Sequence, residues 1–450
     1  MPQAFLYILS KPDLYLTPLY IFLLFLLVKK LKRKYYFQSP LQQFIFPAFI
    51  IHISGSIFFA LIYQYYYGYG DTYGYFTGAH ETWEAFIKDP KVAFELLFRD
   101  RENFSPLALD WAPFSSYTGF AQSTSAVIRI AGFIGLFCFG SYLPIAMVLG
   151  LLAFWGTWLI YITINRYFPH LYKLTAVCCL FIPSVVIWSS GVSKEPPCMF
   201  ALGLCFYSVD KLLNKKGMIK HLLYFAIGAS LLIVIKSYIF FTFAAAAAMW
   251  AYRFFILRMK NALVRLIFRV TIFIAIFSFF LYMIAIPENS LQQSFIYLLD
   301  GGQHLQELMT SINDTYGGSG YTLPPVNLNA FGAIQSYMLS TNVSLFRPYI
   351  WECTNILMVM NFIESFGTLL LVLAVLFKAG IRKFFSYCNT YPVLLFMLLF
   401  SLIFAPIVGF ISFNFGTLVR YKIPFLPFFF SFLIILLFDK KVVRVNAENG

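Results

Sequence analysis

Long apolar runs, interrupted by short clusters of lysine and arginine, recur from one end of the chain to the other. They fall at 14–28, 42–66, 142–165, 174–190, 196–213, 220–235, 237–252, 267–286, 353–377, 391–412 and 421–438. Most approach the length of about 20 residues that carries a helix across about 30 Å of hydrocarbon. The pattern predicts an all-α polytopic membrane protein with about eleven transmembrane helices. Continuous runs also argue against an outer-membrane barrel, which shows short alternating segments. A further stretch, "STSAVIRIAGFIGLFCFGSYLP" at 123–144, is apolar enough to cross, but counting it inverts every downstream loop. We read 124–139 as a re-entrant or interfacial helix with Arg129 on its polar face.

Between the runs, 67–141 and 287–352 form two large loops with short amphipathic helices. In 80–98, Trp83, Phe86, Val92, Phe94 and Leu97 are expected to lie on the membrane while the charges face water. No soluble domain, linker or internal repeat is visible, so residues 1–450 read as one integral-membrane unit. The lack of a repeat weighs against the inverted-repeat transporters.

Charge orients the chain. Segments 29–34, 166–173, 211–220, 253–269, 378–383 and 440–444 lie in alternate loops and hold two thirds of the 33 lysines and arginines. Acidic residues on that side are few: Asp210, Asp439 and Glu448. Excess Lys and Arg marks the cytoplasmic side. The expected topology therefore has the N-terminus outside, the C-terminus in the cytoplasm and both large loops outside. The first run lacks a basic n-region and a small-residue cleavage site, so it reads as a span rather than a signal peptide.

Composition agrees with this class: 60% of residues are hydrophobic, 20% aromatic and 12% charged. A soluble domain carries about a quarter charged residues. The net charge of +14 follows the loop pattern, which points to membrane lipids as partners and not to nucleic acid. Seven scattered cysteines form no metal or disulfide framework.

The candidate chemistry lies where polar residues collect at the outer ends of the predicted spans. "YYYGYGDTYGYF" (65–76) places Asp71 in a glycine-loosened, aromatic turn just after the second span. That turn reads either as a solvated loop with an interfacial tyrosine belt or as the seat of a catalytic base. "WSSGVSKEPP" (188–197) presents Lys194 and Glu195, with proline placing Glu195 at the first turn of a helix whose free N–H groups suit phosphate. "SLFRPYIWE" (344–352) presents Arg347 and Glu352, and "NFGTLVRYKIPFLP" (414–427) presents Arg420 and Lys422. Lys236 falls in a tight turn between two predicted spans, and Glu84 and Tyr75 lie close behind Asp71 in the chain. A single Lys or Arg at a span end often snorkels to the headgroups, but several ionisable groups on one membrane face mark a functional site. Glu364, inside a predicted span, is expected to pair with a basic residue or to pack between helices.

This arrangement suits transfer of a sugar from a lipid-phosphate carrier. A carboxylate would take the acceptor's proton, and cations would stabilise the leaving phosphate. Asp71 is the expected base, with Lys194, Arg347, Arg420 and Lys236 as phosphate ligands and Glu195, Glu352, Glu84 and Tyr75 as supporting groups.

Three motifs resemble a family. "GYGDTYGYF" resembles the acidic start of the first large outer loop in membrane glycosyltransferases of the GT-C superfamily. "PSVVIWSSGVSKEP" is similar to a stretch of its bacterial members and of polysaccharide-polymerase-like membrane proteins, and "RYKIPFLP" to their late R-Y-x-x-P-x-x-P motif. The resemblance implies a polyprenyl-phosphate-linked sugar as donor and a bacterial inner-membrane location. It also implies Asp71 as the catalytic carboxylate, with Lys194, Glu195 and Arg420 at motif positions. The extra first span departs from the family, and Glu81, Glu84 and Asp110 do not match its second acidic position, so metal dependence stays open. Two other readings remain: an O-antigen or exopolysaccharide polymerase holding pyrophosphates with its arginines, and a transporter or flippase of lipid-linked glycans.

Overall fold

The computed structural model describes residues 8–36, 39–111, 122–259, 261, 263–266, 319–321, 323–324 and 330–439. Among these residues the protein is all-α, and six helices are long and apolar enough to cross a membrane, seven if one bent pair counts as a span. The expected span 267–286 and most of the expected loop 287–352 lie outside the described residues.

The chain divides into two compact units. The first comprises the residues up to Phe241 together with Leu426–Asp439. It begins with α1 (Lys11–Tyr35), α2 (Ile45–Leu61) and a π-helical turn over Ile62–Tyr67. Next come α3 (Asp71–Lys88), α4 (Pro90–Phe98), α5 (Pro106–Trp111), α6 (Gln122–Phe137) and α7 (Tyr142–Tyr167). The helices α8 (Tyr172–Leu180), α9 (Pro183–Trp188), α10 (Glu195–Leu213) and the start of α11 (Met218–Arg258) follow. Thr242–Phe425 form the second unit, with the rest of α11 and then α12 (Ala330–Phe346), α13 (Ile356–Ala374), α14 (Gly380–Thr390), α15 (Pro392–Ile411) and α16 (Phe415–Tyr421). The last helix, α17 (Leu426–Phe438), returns to the first unit.

Backbone approach through glycine organises both units. A Cβ on Gly156 of α7 would lie 2.2 Å from the Met199 carbonyl oxygen of α10, and one on Gly203 of α10 would lie 2.1 Å from the carbonyl oxygen of Gly156. The two helices therefore cross backbone to backbone, the small-residue packing that holds helices together where lipid removes the hydrophobic drive. In the second unit a Cβ on Gly409 of α15 would meet the Ser340 carbonyl oxygen of α12 at 2.0 Å.

Several expected elements take a different form. The run 174–190 is two short helices, α8 and α9, separated at Phe181–Ile182 and restarted by Pro183 at the first helical turn. Runs 220–235 and 237–252 are two helices that meet at a kink at Lys236 (φ −147°, ψ 78°), where the expected turn falls, and together they make up α11. The segment read as re-entrant or interfacial is α6, which at 16 residues falls short of the about 20 needed to cross. Its Arg129 bonds the Arg99 carbonyl and approaches Asp100 at 3.3 Å.

The amphipathic reading of 80–98 is corrected. Asp89 ends α3 and caps α4, accepting from the Lys91 N–H at 3.0 Å. Val92 then points into a cluster with Ala85, Ala93, Leu96, Phe104 and Ala108, and Leu97 is buried too, while Phe94 faces outward. The break at Asp89–Pro90 resets the helical phase, so the five apolar residues share no single face.

A carboxylate that hydropathy does not single out joins α1 to α7. Asp13 is 2% exposed and reaches back to the Ser10 N–H and hydroxyl, both at 2.8 Å. Its other oxygen accepts from the Ser141 hydroxyl at 2.9 Å and the Leu143 N–H at 2.8 Å, at the start of α7. Hydrogen bonds to a charged acceptor contribute about 1.5–3 kcal/mol each. Asp13→Ala removes all four, and thermal unfolding of the purified protein should show a loss of at least about 3 kcal/mol.

Candidate functional site

The turn that carries Asp71 is built by two glycines. Gly68 has φ 70° and Gly70 φ 133°, values that L side chains avoid. The Tyr63 carbonyl accepts both the Gly68 N–H at 2.9 Å and the Tyr73 hydroxyl at 3.1 Å, which fixes the chain as it leaves α2. Tyr65, Tyr66 and Tyr69 remain exposed, as an interfacial belt would. Asp71 is the first residue of α3 and is exposed, at the positive end of that helix's dipole.

One turn further on, Tyr75 is buried, and its hydroxyl is hydrogen-bonded to the side chain of Thr124 near the start of α6. Burial, with the charges of Asp71 and Glu195 beside it, raises the Tyr75 pKa and keeps the hydroxyl protonated. The neighbouring residue of α6, Ser123, accepts from the Lys194 ammonium at 3.0 Å. Lys194 is half-buried just before α10; burial lowers its pKa, as does the nearby charge of Lys236, while Asp71 and Glu195 act in the opposite sense.

Glu195, the first residue of α10, is buried and takes the Lys236 ammonium at 2.9 Å. These two side chains are 6% and 8% exposed, which makes this a buried ion pair seated at the break in α11. The structure thus brings together Asp71, Tyr75, Lys194, Glu195 and Lys236, a cluster whose carboxylates and ammonium groups balance. Of the two expected phosphate ligands here, Lys236 is engaged by Glu195, and Lys194 is held on a neutral hydroxyl.

Glu84 does not join them. It lies 13 positions beyond Asp71 on α3, about 20 Å along the axis, and pairs with His80 at 3.5 Å. Glu81, also weighed as a second acidic group, is pushed up to about 7 by burial and by the charge of Glu84. Asp110 is exposed on α5.

The remaining expected residues belong to the second unit, which carries a network of its own. Arg347 donates from Nε to both Glu352 oxygens, at 2.9 and 3.1 Å, and Nη2 also bonds Glu352. The guanidinium carbon lies 5.3 Å from the Tyr321 ring centre and 5.4 Å from that of Phe415. The Arg347 carbonyl accepts from Ser365 at 2.9 Å, and Ser365 in turn accepts from the buried Lys422 at 3.3 Å. Lys422 also lies 3.5 Å from Glu364, so the expected pairing of that in-span carboxylate with a basic residue is present. Arg420 is half-buried, one residue before the end of α16.

Ser123, Thr124 and Tyr321 carry no signal in the sequence pattern. Ser123 and Thr124 meet partners 71 and 49 positions away in the chain, which no local pattern signals. Among the described residues no three His, Cys, Asp or Glu side chains group in a way that could hold a metal ion. Comparison of the chain with protein-family models, with curated proteins and with solved structures gives no match.

The buried pair has a distinctive mutational signature. Lys236→Met removes the ammonium that the buried Glu195 carboxylate takes and should cost about 3–5 kcal/mol of stability; the double variant Lys236→Met/Glu195→Gln should recover most of it in thermal unfolding. Glu81 gives a pH signature. A raised folded pKa contributes stability below its unfolded value of 4.5, and that contribution is lost as pH rises toward about 7. Between those limits the wild type should lose stability relative to Glu81→Gln, read as diverging melting temperatures.

Proposed function

We propose that this protein is a membrane glycosyltransferase that moves a sugar from a polyprenyl-phosphate carrier to a glycan, lipid or protein acceptor. The observation that supports this reading best is the meeting of Asp71 with Lys194 beside a span end. An exposed carboxylate and a half-buried ammonium act on one another there, beside the buried Tyr75, Glu195 and Lys236.

In the proposed reaction the acceptor hydroxyl attacks the anomeric carbon while Asp71 takes its proton. The bond from that carbon to the phosphate oxygen breaks, and its electron pair leaves with the phosphate. Lys194 offsets the charge that develops on the leaving oxygen. The neutral Tyr75 hydroxyl and the Glu195–Lys236 pair position Lys194, the pair through the backbone it shares with Glu195. In the second unit, Arg347, oriented by Glu352, and Arg420 are phosphate-binding groups of this reading. Aromatic span ends and an amphiphilic substrate suit one another, since such a donor has its phosphate at headgroup level and its tail in the hydrocarbon.

The wider assignment belongs to the same proposal: about eleven spans, the N-terminus and Asp71 outside, the C-terminus in the cytoplasm, and a place in the bacterial inner membrane. The charge asymmetry of the loops supports that orientation.

Mass spectrometry of lipid-linked and mature glycans, in a deletion strain complemented with variants, tests the reading. Asp71→Asn should lower transfer by about a hundred- to ten-thousand-fold while the protein stays folded in the membrane. Wild-type transfer by that variant would overturn the assignment. Accumulation of single repeat units in Arg347→Ala or Arg420→Ala, with Asp71→Asn active, would establish a polymerase instead. Loss of outward movement of the lipid-linked sugar, with transfer intact, would establish a flippase.

A further inference from the structure

The segment Ile356–Thr390 is helical over 35 residues, more than a bilayer needs. α13 and the π-helical turn Val375–Ala379 that continues it cover Ile356 to Ala379. At 1.5 Å per residue that stretch spans about 36 Å and fills the hydrocarbon by itself. The helical run is then interrupted at Gly380, whose φ of 72° is a value L side chains avoid.

Beyond this break, α14 has two chemically different faces. Ile381, Phe384, Phe385 and Cys388 fall on one side, and Arg382, Ser386 and Asn389 on the other, by the helical period. Tyr387 and Cys388 are buried, and Arg253 pins the C-terminal end by donating to the Asn389 carbonyl at 2.9 Å and to its side-chain oxygen at 3.1 Å. Yet Phe377, Ile381 and Phe385 are 84%, 73% and 59% exposed. Lys378 and Arg382 are exposed alongside them. No acidic residue occurs in the chain between Glu364 and Asp439, so these cations have no carboxylate within α14 or α15.

We infer that α14 lies in the plane of the membrane surface and that Arg382 on it, with Lys378 just before it, binds anionic phospholipid headgroups. Continuity with a membrane-crossing helix places the exposed phenylalanines and isoleucine in lipid. The two cations sit at the depth of the phosphates, the arrangement of an interfacial amphipathic helix. Lys383 lies over the Tyr387 ring at 5.1 Å, on the polar side of the same helix. The inference needs only that α13 crosses the membrane and is independent of the proposed sugar transfer.

Native mass spectrometry of the full chain in detergent, titrated with phosphatidylglycerol and with phosphatidylcholine of the same acyl chains, tests it. The wild type should prefer phosphatidylglycerol, and Lys378→Gln/Arg382→Gln should lower that preference by about 30-fold, from about fivefold per basic residue. Lys29→Gln/Lys30→Gln removes two exposed lysines of α1 and should lower the preference less. Phe377→Ser/Ile381→Ser should weaken both lipids alike. No preference in the wild type, an unchanged preference in the Lys378/Arg382 variant, or an equal loss in the Lys29/Lys30 variant would each overturn the inference.

Discussion

The ion pair between Lys236 and Glu195 joins two interruptions of helix. Lys236 is where α11 departs from helical geometry, and Glu195 is where α10 begins. Neither charge could stay buried alone, because moving an ion out of water costs several kcal/mol even after relaxation. Together they lock the segment "SGVSKE" in place, and with it Lys194, whose ammonium rests on Ser123 within the field of Asp71. Buried ionisable groups in membrane proteins are costly, and they mark sites where position matters more than stability. The second unit uses the same device, with Lys422 held between Glu364 and Ser365 and Arg347 clamped by Glu352.

Much of the candidate site was legible in the order of residues along the chain. Charge asymmetry put Asp71, Lys194, Glu195 and Lys236 on one face, and these four do meet in the first unit together with Tyr75. The sequence pattern places Asp71 in a turn, whereas α3 begins at that residue, so Tyr75, four positions on, lies on the same side of the helix. What pattern did not convey is which cation is engaged by which carboxylate. Lys194 and Lys236 look alike in sequence, but one rests on a serine hydroxyl and the other in a buried ion pair. Those partners come from α6 and α10, 71 and 41 residues away along the chain.

The differences between the expected and the observed fold have a common physical source. Hydropathy measures how readily a segment leaves water, not whether it does so as one straight helix. The run 174–190 is apolar throughout, but Pro183 has no N–H to donate and the helix stops before it. In 80–98 the apolar spacing suggests a single helix, but Asp89–Pro90 ends one helix and starts another. Asp13 stays inconspicuous in the sequence because a carboxylate near the start of a span looks like a simple terminal charge. Only the approach of α7 shows that it satisfies donors from both helices.

Sequence alone determined the class of the protein and some of the sites of its breaks. Twenty-residue apolar runs have no stable place but a bilayer, and backbone there must be helical. Glycines at 68 and 70 admit a turn that other residues resist. Tertiary structure decided what those breaks are for. Burial and pairing depend on groups distant in the chain, so only packing could assign Lys236 to Glu195 and rest Lys194 on Ser123. The same packing left Phe377, Ile381 and Phe385 bare on either side of the break at Gly380.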